Sequence, residues 1–196
     1  PPRSTLFPYT TLFRSENSLN APEIAARAEA AGVQMIIVHG RTRMQFYEGR
    51  ADWDAIAAVR DVISVPLVAN GDVETREDAE EIRRRSGADA VMVGRACQGR
   101  PWHAGWVAGH SGPRRDEIPA LAAQHYEAML SHYGADVGVR HARKHVGWYL
   151  ERYAPSTDRK KKAEIMTSRD PAFVAKTLAL CLSDAATDAD GRREAA

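Results

Sequence analysis

Three short apolar runs punctuate the first half of the chain, at residues 34–38, 65–69 and 90–93. After Gln34 they are continuous rather than alternating, the pattern of strands covered on both faces. Each ends in a small polar loop that contains glycine: His39-Gly40-Arg41-Thr42-Arg43, Asn70-Gly71-Asp72 and Gly94-Arg95. Helical spacing fills the intervals. Ile24, Ala28 and Ala31 mark a helix opened by an Asn20/Glu23 capping box with Pro22 in its first turn, and closed by Gly32. Residues 44–49 are irregular, and Asp52 caps a second helix through Trp53, Ile56 and Val59. Thr75 with Asp78 opens a third, anchored by Ala79 and Ile82 and closed by Gly87. Strands alternating with helices predict a parallel sheet or a (β/α) barrel. In such folds ligands sit at the carboxyl ends of the strands. The polar loops lie at those ends.

The second half reads differently. Residues 105–119 are rich in Gly, Pro and Arg, as a linker is, and beyond them strand signals vanish. Helices are predicted over 121–133, 139–153 and 171–182, and the polar, small-residue tail from Asp184 is expected to be unordered. At the other end, residues 1–15 nearly repeat themselves (Ser4-Thr5-Leu6-Phe7, then Thr10-Thr11-Leu12-Phe13) and fit neither period. They look like translated sequencing-adapter sequence fused to an incomplete reading frame, a non-native leader outside the fold; a natural disordered arm is the alternative.

Composition adds modest bounds. The 196 residues are 44% hydrophobic and 27% charged with a net charge of +1, ordinary for one medium domain with an appendage. No apolar run approaches the roughly 18 residues of a membrane span, so no membrane partner is expected and a cytoplasmic setting fits. Cys97 and Cys181 form no metal or redox spacing, and no metal site, P-loop or dinucleotide fingerprint is present. Cys97 has no activating base beside it, and Cys181 sits in an apolar helix pattern.

Two constellations could carry chemistry. At the strand ends, Gly94-Arg95 suits a phosphate, through backbone N–H groups and a guanidinium fork. Asn70, Gly71 and Asp72 could read ribityl or ribose hydroxyls, and His39 could hydrogen-bond a planar ring. Taken singly, each reads as well as a satisfied turn or a structural histidine; three in one parallel array favour a site. The second constellation is electrostatic. Residues 138–162 hold eight Lys/Arg against Glu151 and Asp158, a local net of +6. Val139, Ala142, Val146, Tyr149, Leu150 and Tyr153 share one side of a helix, with Arg140, Arg143 and Lys144 on the adjacent outward side. Such a patch suits a phosphate backbone; a solvated charged face is the alternative.

Four segments, VHGRTRMQFYEGRADW (38–53), VPLVANGD (65–72), GADAVMVGRACQGRPW (87–102) and RHARKHVGWYL (140–150), resemble the bacterial tRNA-dihydrouridine synthases of the B type. The resemblance runs from about residue 20 to 182. It implies an α/β fold: a partial (β/α)8 TIM barrel represented by its last three strands, followed by a small all-α helical domain. The implied organisation is a leader at 1–15, the C-terminal part of an FMN-binding barrel at 16–108, a linker at 109–119, a helical tRNA-binding domain at 120–183 and an unordered tail at 184–196. It further implies FMN held by His39, Asn70, Gly71, Asp72, Gly94 and Arg95. Arg41 and Arg43 would face cofactor or RNA, and Arg140, Arg143, Lys144 and His145 would belong to the tRNA surface. NADPH would reduce the flavin of a monomeric full-length enzyme, and hydride would pass to C6 of a uracil flipped out of tRNA, with a cysteine acid protonating C5. That cysteine and a flavin-contacting lysine are expected in a missing N-terminal part, so this chain alone is expected to be inactive. Two other readings remain: an RNA-binding fragment without catalysis, and a small-molecule flavin enzyme of the dihydroorotate dehydrogenase kind, which has no need of the basic patch.

Overall fold

The computed structural model describes residues 9–13, 20–45 and 48–194. Contacts divide the chain into two compact units, Pro1–Cys97 with His103–His110, and Gln98–Trp102 with Ser111–Ala196.

The first unit is built on a parallel sheet in the order β1-β2-β3-β4, where β1 is Tyr9–Phe13, β2 Ile36–Thr42, β3 Leu67–Asn70 and β4 Ala90–Met92. Helices α1 (Ala21–Ala30), α2 (Asp54–Arg60) and α3 (Arg76–Ser86) fall between the strands, and the short α4 (His103–Val107) follows them. Chain order and sheet order therefore coincide. The three expected strands are all present, with two differences. Residues 9–13, set aside as part of a leader, pair in parallel with β2 (Tyr9↔Ile37, Thr11↔His39). That pairing continues to Thr42, so β2 runs four residues beyond the expected end at 38, and His39–Thr42 is strand rather than loop.

Alternation across the pleat sorts the side chains of β2 and β3. Ile36, Val38, Leu67 and Ala69 join Ala21, Ala25, Ile56, Val59 and Ile82 of the helices in one buried core. Ile37, His39, Arg41, Val68 and Asn70 stand in the opposite phase, on the other face of the sheet. Burial of each fully enclosed aliphatic side chain contributes about 1.5–3 kcal/mol, so this core fixes which phase faces the helices. A slip of one residue would exchange the two faces.

Helix ends follow local chemistry. Thr75 and Asp78 form the expected capping box, Asp78 N–H donating to Thr75 Oγ1 at 3.0 Å and Thr75 N–H to Asp78 Oδ2 at 2.9 Å. Gly87 closes α3 in the left-handed region at φ 65°. Asp52 Oδ1 accepts from Ala55 N–H at 3.0 Å at the start of α2. Asn20 makes no side-chain cap: its ψ of 9° departs from the extended backbone that capping requires.

Four α-helices lie among the described residues of the second unit: α5 (Ile118–Tyr133), α6 (Ala135–Tyr153), α7 (Arg159–Thr167) and α8 (Pro171–Glu194). Its core gathers Ile118, Ala122, Tyr126, Val139, Ala142, Val146, Tyr149, Leu150, Ile165, Val174, Leu178 and Leu182. Helix α7 has no counterpart in the sequence expectation, where Arg159–Lys162 counted only as charge. Asp158 caps it, accepting from the N–H groups of Lys160 and Lys161. The tail expected to be unordered continues α8 to Glu194. Alanines, the best helix formers, recur there, and Ala186 is buried. Among the described residues no helix is long and apolar enough to cross a membrane.

Thr75→Ala removes one half of the capping box and should destabilise the sheet unit by about 1 kcal/mol. Chemical denaturation measures it; no change would show that the box contributes nothing here.

Candidate functional site

The phase of the sheet opposite the helical core positions the polar cluster. Register places His39 beside Asn70, and Asn70 beside Met92, on three adjacent strands. Asn70 Nδ2 donates to the Met92 carbonyl at 2.7 Å, which orients the amide with Oδ1 toward His39. His39 Nδ1 lies 2.6 Å from that oxygen, so Nδ1 carries the proton and Nε2 the lone pair. Arg41 Nη1 lies 3.5 Å from Nε2 as a donor. Burial, the largest influence, pushes the His39 pKa down; the Asn70 hydrogen bond opposes it, and the Arg41 charge reinforces it. His39 is thus a neutral, oriented imidazole.

Asp72 ties the three strand ends together. Its backbone is left-handed, with φ 54°, and follows Gly71, where a Cβ would come within 2.6 Å of the Ala51 Cβ. Only glycine fits that crowded position. The Asp72 carboxylate accepts from Arg41 Nη2, from Ala51 N–H at 2.8 Å and from Arg95 Nη2 at 2.9 Å. Burial would raise its pKa; the Arg41 hydrogen bond, the Ala51 N–H and the two arginine charges outweigh that and hold it below the usual carboxylate range. Trp53 Nε1 donates to the Gly71 carbonyl at 2.8 Å, and Asp52 N–H to the Gly40 carbonyl at 2.6 Å. The segment after β2 is thereby fastened over the end of β3.

Of the residues the sequence singles out, His39, Arg41, Asn70, Gly71, Asp72 and Arg95 come together in this network. Gly94 adjoins Arg95, is exposed, and has open space where a Cβ would stand. The Arg95 side chain is 54% exposed. Arg41, expected to face cofactor or RNA, lies inside this network. It is 3% exposed, and it also donates to the carbonyls of Glu48 at 3.2 Å and Gly49 at 2.8 Å, which makes it a strut inside the site. Arg43 stays exposed, in a 3-10 turn at Arg43–Gln45. The sequence reading missed Glu48, Gly49, Ala51 and Trp53 as the frame of the site. Their contributions are mostly backbone groups, which leave no side-chain signature; the glycine at 71 was the available signal.

On α6, Arg140 and Lys144 are exposed as expected. Arg143 is half-buried instead, and its Nε is enclosed without a hydrogen-bond partner. His145 is also half-buried, its ring edge-on to His125 and to Trp148 at 5.0 Å each. Burial, then the neighbouring His125 and Lys144, push its pKa down, so it is an aromatic brace rather than a cation. Cys97 lies in a 3-10 turn after β4, and Cys181 is buried in the helical core.

The site geometry carries two tests. Asp72→Asn leaves the buried Arg41 without its counter-charge and should destabilise the unit by about 3 kcal/mol; an unchanged denaturation midpoint would contradict the bridge. His39 should remain the neutral Nδ1–H tautomer at about pH 6.5, where an exposed histidine is half protonated. Because its folded pKa is lowered, its contribution to stability is complete above that pH and declines as pH falls below it. Imidazolium signals in nitrogen NMR at that pH would overturn the assignment.

Comparison with known proteins gives a consistent picture. A probable tRNA-dihydrouridine synthase of Rhizobium leguminosarum bv. phaseoli is 66% identical over 181 residues, covering 92% of this chain and 56% of its own length. One from Rhodobacter capsulatus is 53% identical over 175 residues, 86% of this chain and 52% of its own. The tRNA-dihydrouridine synthase B of Pseudomonas putida is 42% identical over 143 residues, 69% of this chain and 42% of its own. The chain spans about half the length of the curated relatives it matches. The family model described as dihydrouridine synthase (Dus) matches residues 9–187, from β1 into α8, and the chain therefore belongs to the dihydrouridine synthase family.

Proposed function

We propose that this chain contributes the flavin-phosphate wall and a tRNA-binding surface to an FMN-dependent, NADPH-driven reduction of tRNA uridines to dihydrouridine. The observation that carries the reading is the His39–Asn70–Asp72–Arg95 network at the carboxyl ends of consecutive parallel strands. A sheet whose order follows the chain without a switch point suits the (β/α) barrel better than a doubly wound fold. On this reading β2, β3 and β4 are the sixth to eighth barrel strands, and the second unit is the helical tRNA-binding domain.

The cluster suits FMN. Arg95 and the open backbone at Gly94 have the donor chemistry of a phosphate site, and two arginines against one aspartate leave the cluster net positive. His39 and Asn70 would lie against the ring system, with Gly71 and Asp72 beside the ribityl chain. Bound FMN supplies the hydride chemistry, which no side chain here provides. His39 stays neutral and oriented through Asn70, and Asp72 holds Arg95 in place. The chain by itself is proposed to bind RNA without reducing it. Neither Cys97 nor Cys181 takes part in the strand-end network, so the general acid is not among the residues that form it. A cytoplasmic, monomeric enzyme acting on tRNA is the setting proposed.

Arg95→Ala should lower flavin affinity roughly tenfold or more, through loss of a charge-assisted partner; unchanged flavin occupancy by absorbance would rule the role out. Replacing Arg140 and Lys144 together should weaken binding of a tRNA transcript and reduce the steepness of its salt dependence by about two. A salt slope equal to the parent's would sink the surface assignment. Dihydrouridine formed by the chain alone, seen by mass spectrometry of tRNA with FMN and NADPH, would overturn its proposed inactivity.

A further inference from the structure

A cavity of about 370 Å³ on the second unit is lined by Gln98, Trp148, Glu151 and Arg152, within the size range of small-ligand pockets. One wall is α6. Arg140, Lys144, Trp148 and Arg152 follow one another at four-residue intervals along it, so they form a single slanted ridge. The Lys144 ammonium lies 5.9 Å from the Trp148 ring centroid. The other wall is the segment carrying Gln98. Gly99, at φ +71°, brings this segment so close that a Cβ there would be 2.8 Å from the Trp148 carbonyl. Arg152 Nε donates to the Gln98 carbonyl at 3.3 Å and ties the walls together. His145 stands against the indole at 5.0 Å between ring centroids, its plane at 84° to it, and is backed in turn by His125.

The charge inside differs from the charge along the ridge. Within the cavity Glu151 offsets Arg152, and Glu151 is further compensated by Lys162 at 3.5 Å. A carboxylate in the lining repels a phosphate. A neutral planar group that offers N–H donors and carbonyl acceptors at its edge matches an indole face, a carboxylate, a guanidinium and an amide. Along the ridge, Arg140 and Lys144 make no ion pair among the described residues and suit the phosphates on either side. Aromatic platforms beside cationic tracks are the general means of holding unpaired nucleotides.

We propose that the Gln98–Trp148–Glu151–Arg152 cavity receives one unpaired nucleobase of RNA, stacked on the Trp148 indole, while Arg140 and Lys144 hold the adjoining phosphates. This rests on the reading that the helical unit engages RNA, and it adds a base-binding point to an otherwise electrostatic surface. The site prefers looped or single-stranded nucleotides over duplex.

The test uses the full chain with two probes, an unmodified tRNA transcript and a blunt RNA duplex that has no unpaired bases. Trp148→Ala should weaken transcript binding roughly tenfold with the salt slope unchanged. Trp148→Phe should retain most of the affinity, and neither variant should alter duplex binding. Gln98→Ala, which spares the ring and its packing, should give a smaller loss of the same selectivity if Trp148→Ala fails to fold. If Trp148→Ala and Gln98→Ala both bind the transcript like the parent while the Arg140/Lys144 double variant does not, the base pocket is wrong and the RNA-binding reading stands. Equal loss on both probes assigns Trp148 a structural role and overturns the pocket. A parent chain that binds neither probe overturns both.

Discussion

The first unit depends on one carboxylate. Asp72 joins a nearly inaccessible Arg41 to a half-exposed Arg95, so a buried cation is neutralised by the group that also aims a cation at solvent. A buried guanidinium without a counter-charge would be strongly unfavourable. Everything that places the carboxylate is therefore constrained. Gly71 must lack a side chain because Ala51 is too near, Asp72 must take a left-handed backbone, and the segment after β2 must close over β3 so that the Ala51 N–H can donate. Parallel register supplies the remainder by setting His39, Asn70 and Met92 side by side.

The two units do different chemistry with similar materials. In the sheet unit, charge is gathered inward and balanced, which yields a rigid polar cluster at the strand ends. In the helical unit, charge is spread outward along α6, and the two acids within the basic stretch are already occupied. Asp158 caps α7, and Glu151 pairs with Lys162. The ridge therefore keeps most of its positive charge, while the local balance around Trp148 makes one point on it suited to a neutral partner. On the proposed RNA-binding reading, affinity from phosphates and discrimination from an unpaired base would be separable on this surface.

Much of this was legible in the sequence. Apolar runs located β2, β3 and β4, and Thr75 with Asp78 and Gly87 marked α3, because those signals are local. Strand-end glycines and charges pointed to His39, Asn70, Gly71, Asp72 and Arg95. Long-range effects were harder to see. The length of β2 depends on its pairing with Tyr9–Phe13, a segment without a periodic signal of its own. The burial of Arg41 was not legible, since nothing local shows that the carbonyls of Glu48 and Gly49 will enclose it. Arg143 and His145 sat on the expected helix, but the depth of each depends on packing against neighbouring helices. Helix α7 hid behind its lysines, and the continuation of α8 behind small residues that favour helix as readily as disorder.

The central claim is that the strand-end cluster grips a flavin through its phosphate. Titrating the chain with FMN and, separately, with riboflavin, which shares the ring and ribityl chain but has no phosphate, tests it most directly. The account predicts that FMN binds roughly ten- to a hundredfold more tightly, the contribution of charge-assisted hydrogen bonds to the phosphate. Equal affinities, or no binding of either, would contradict it.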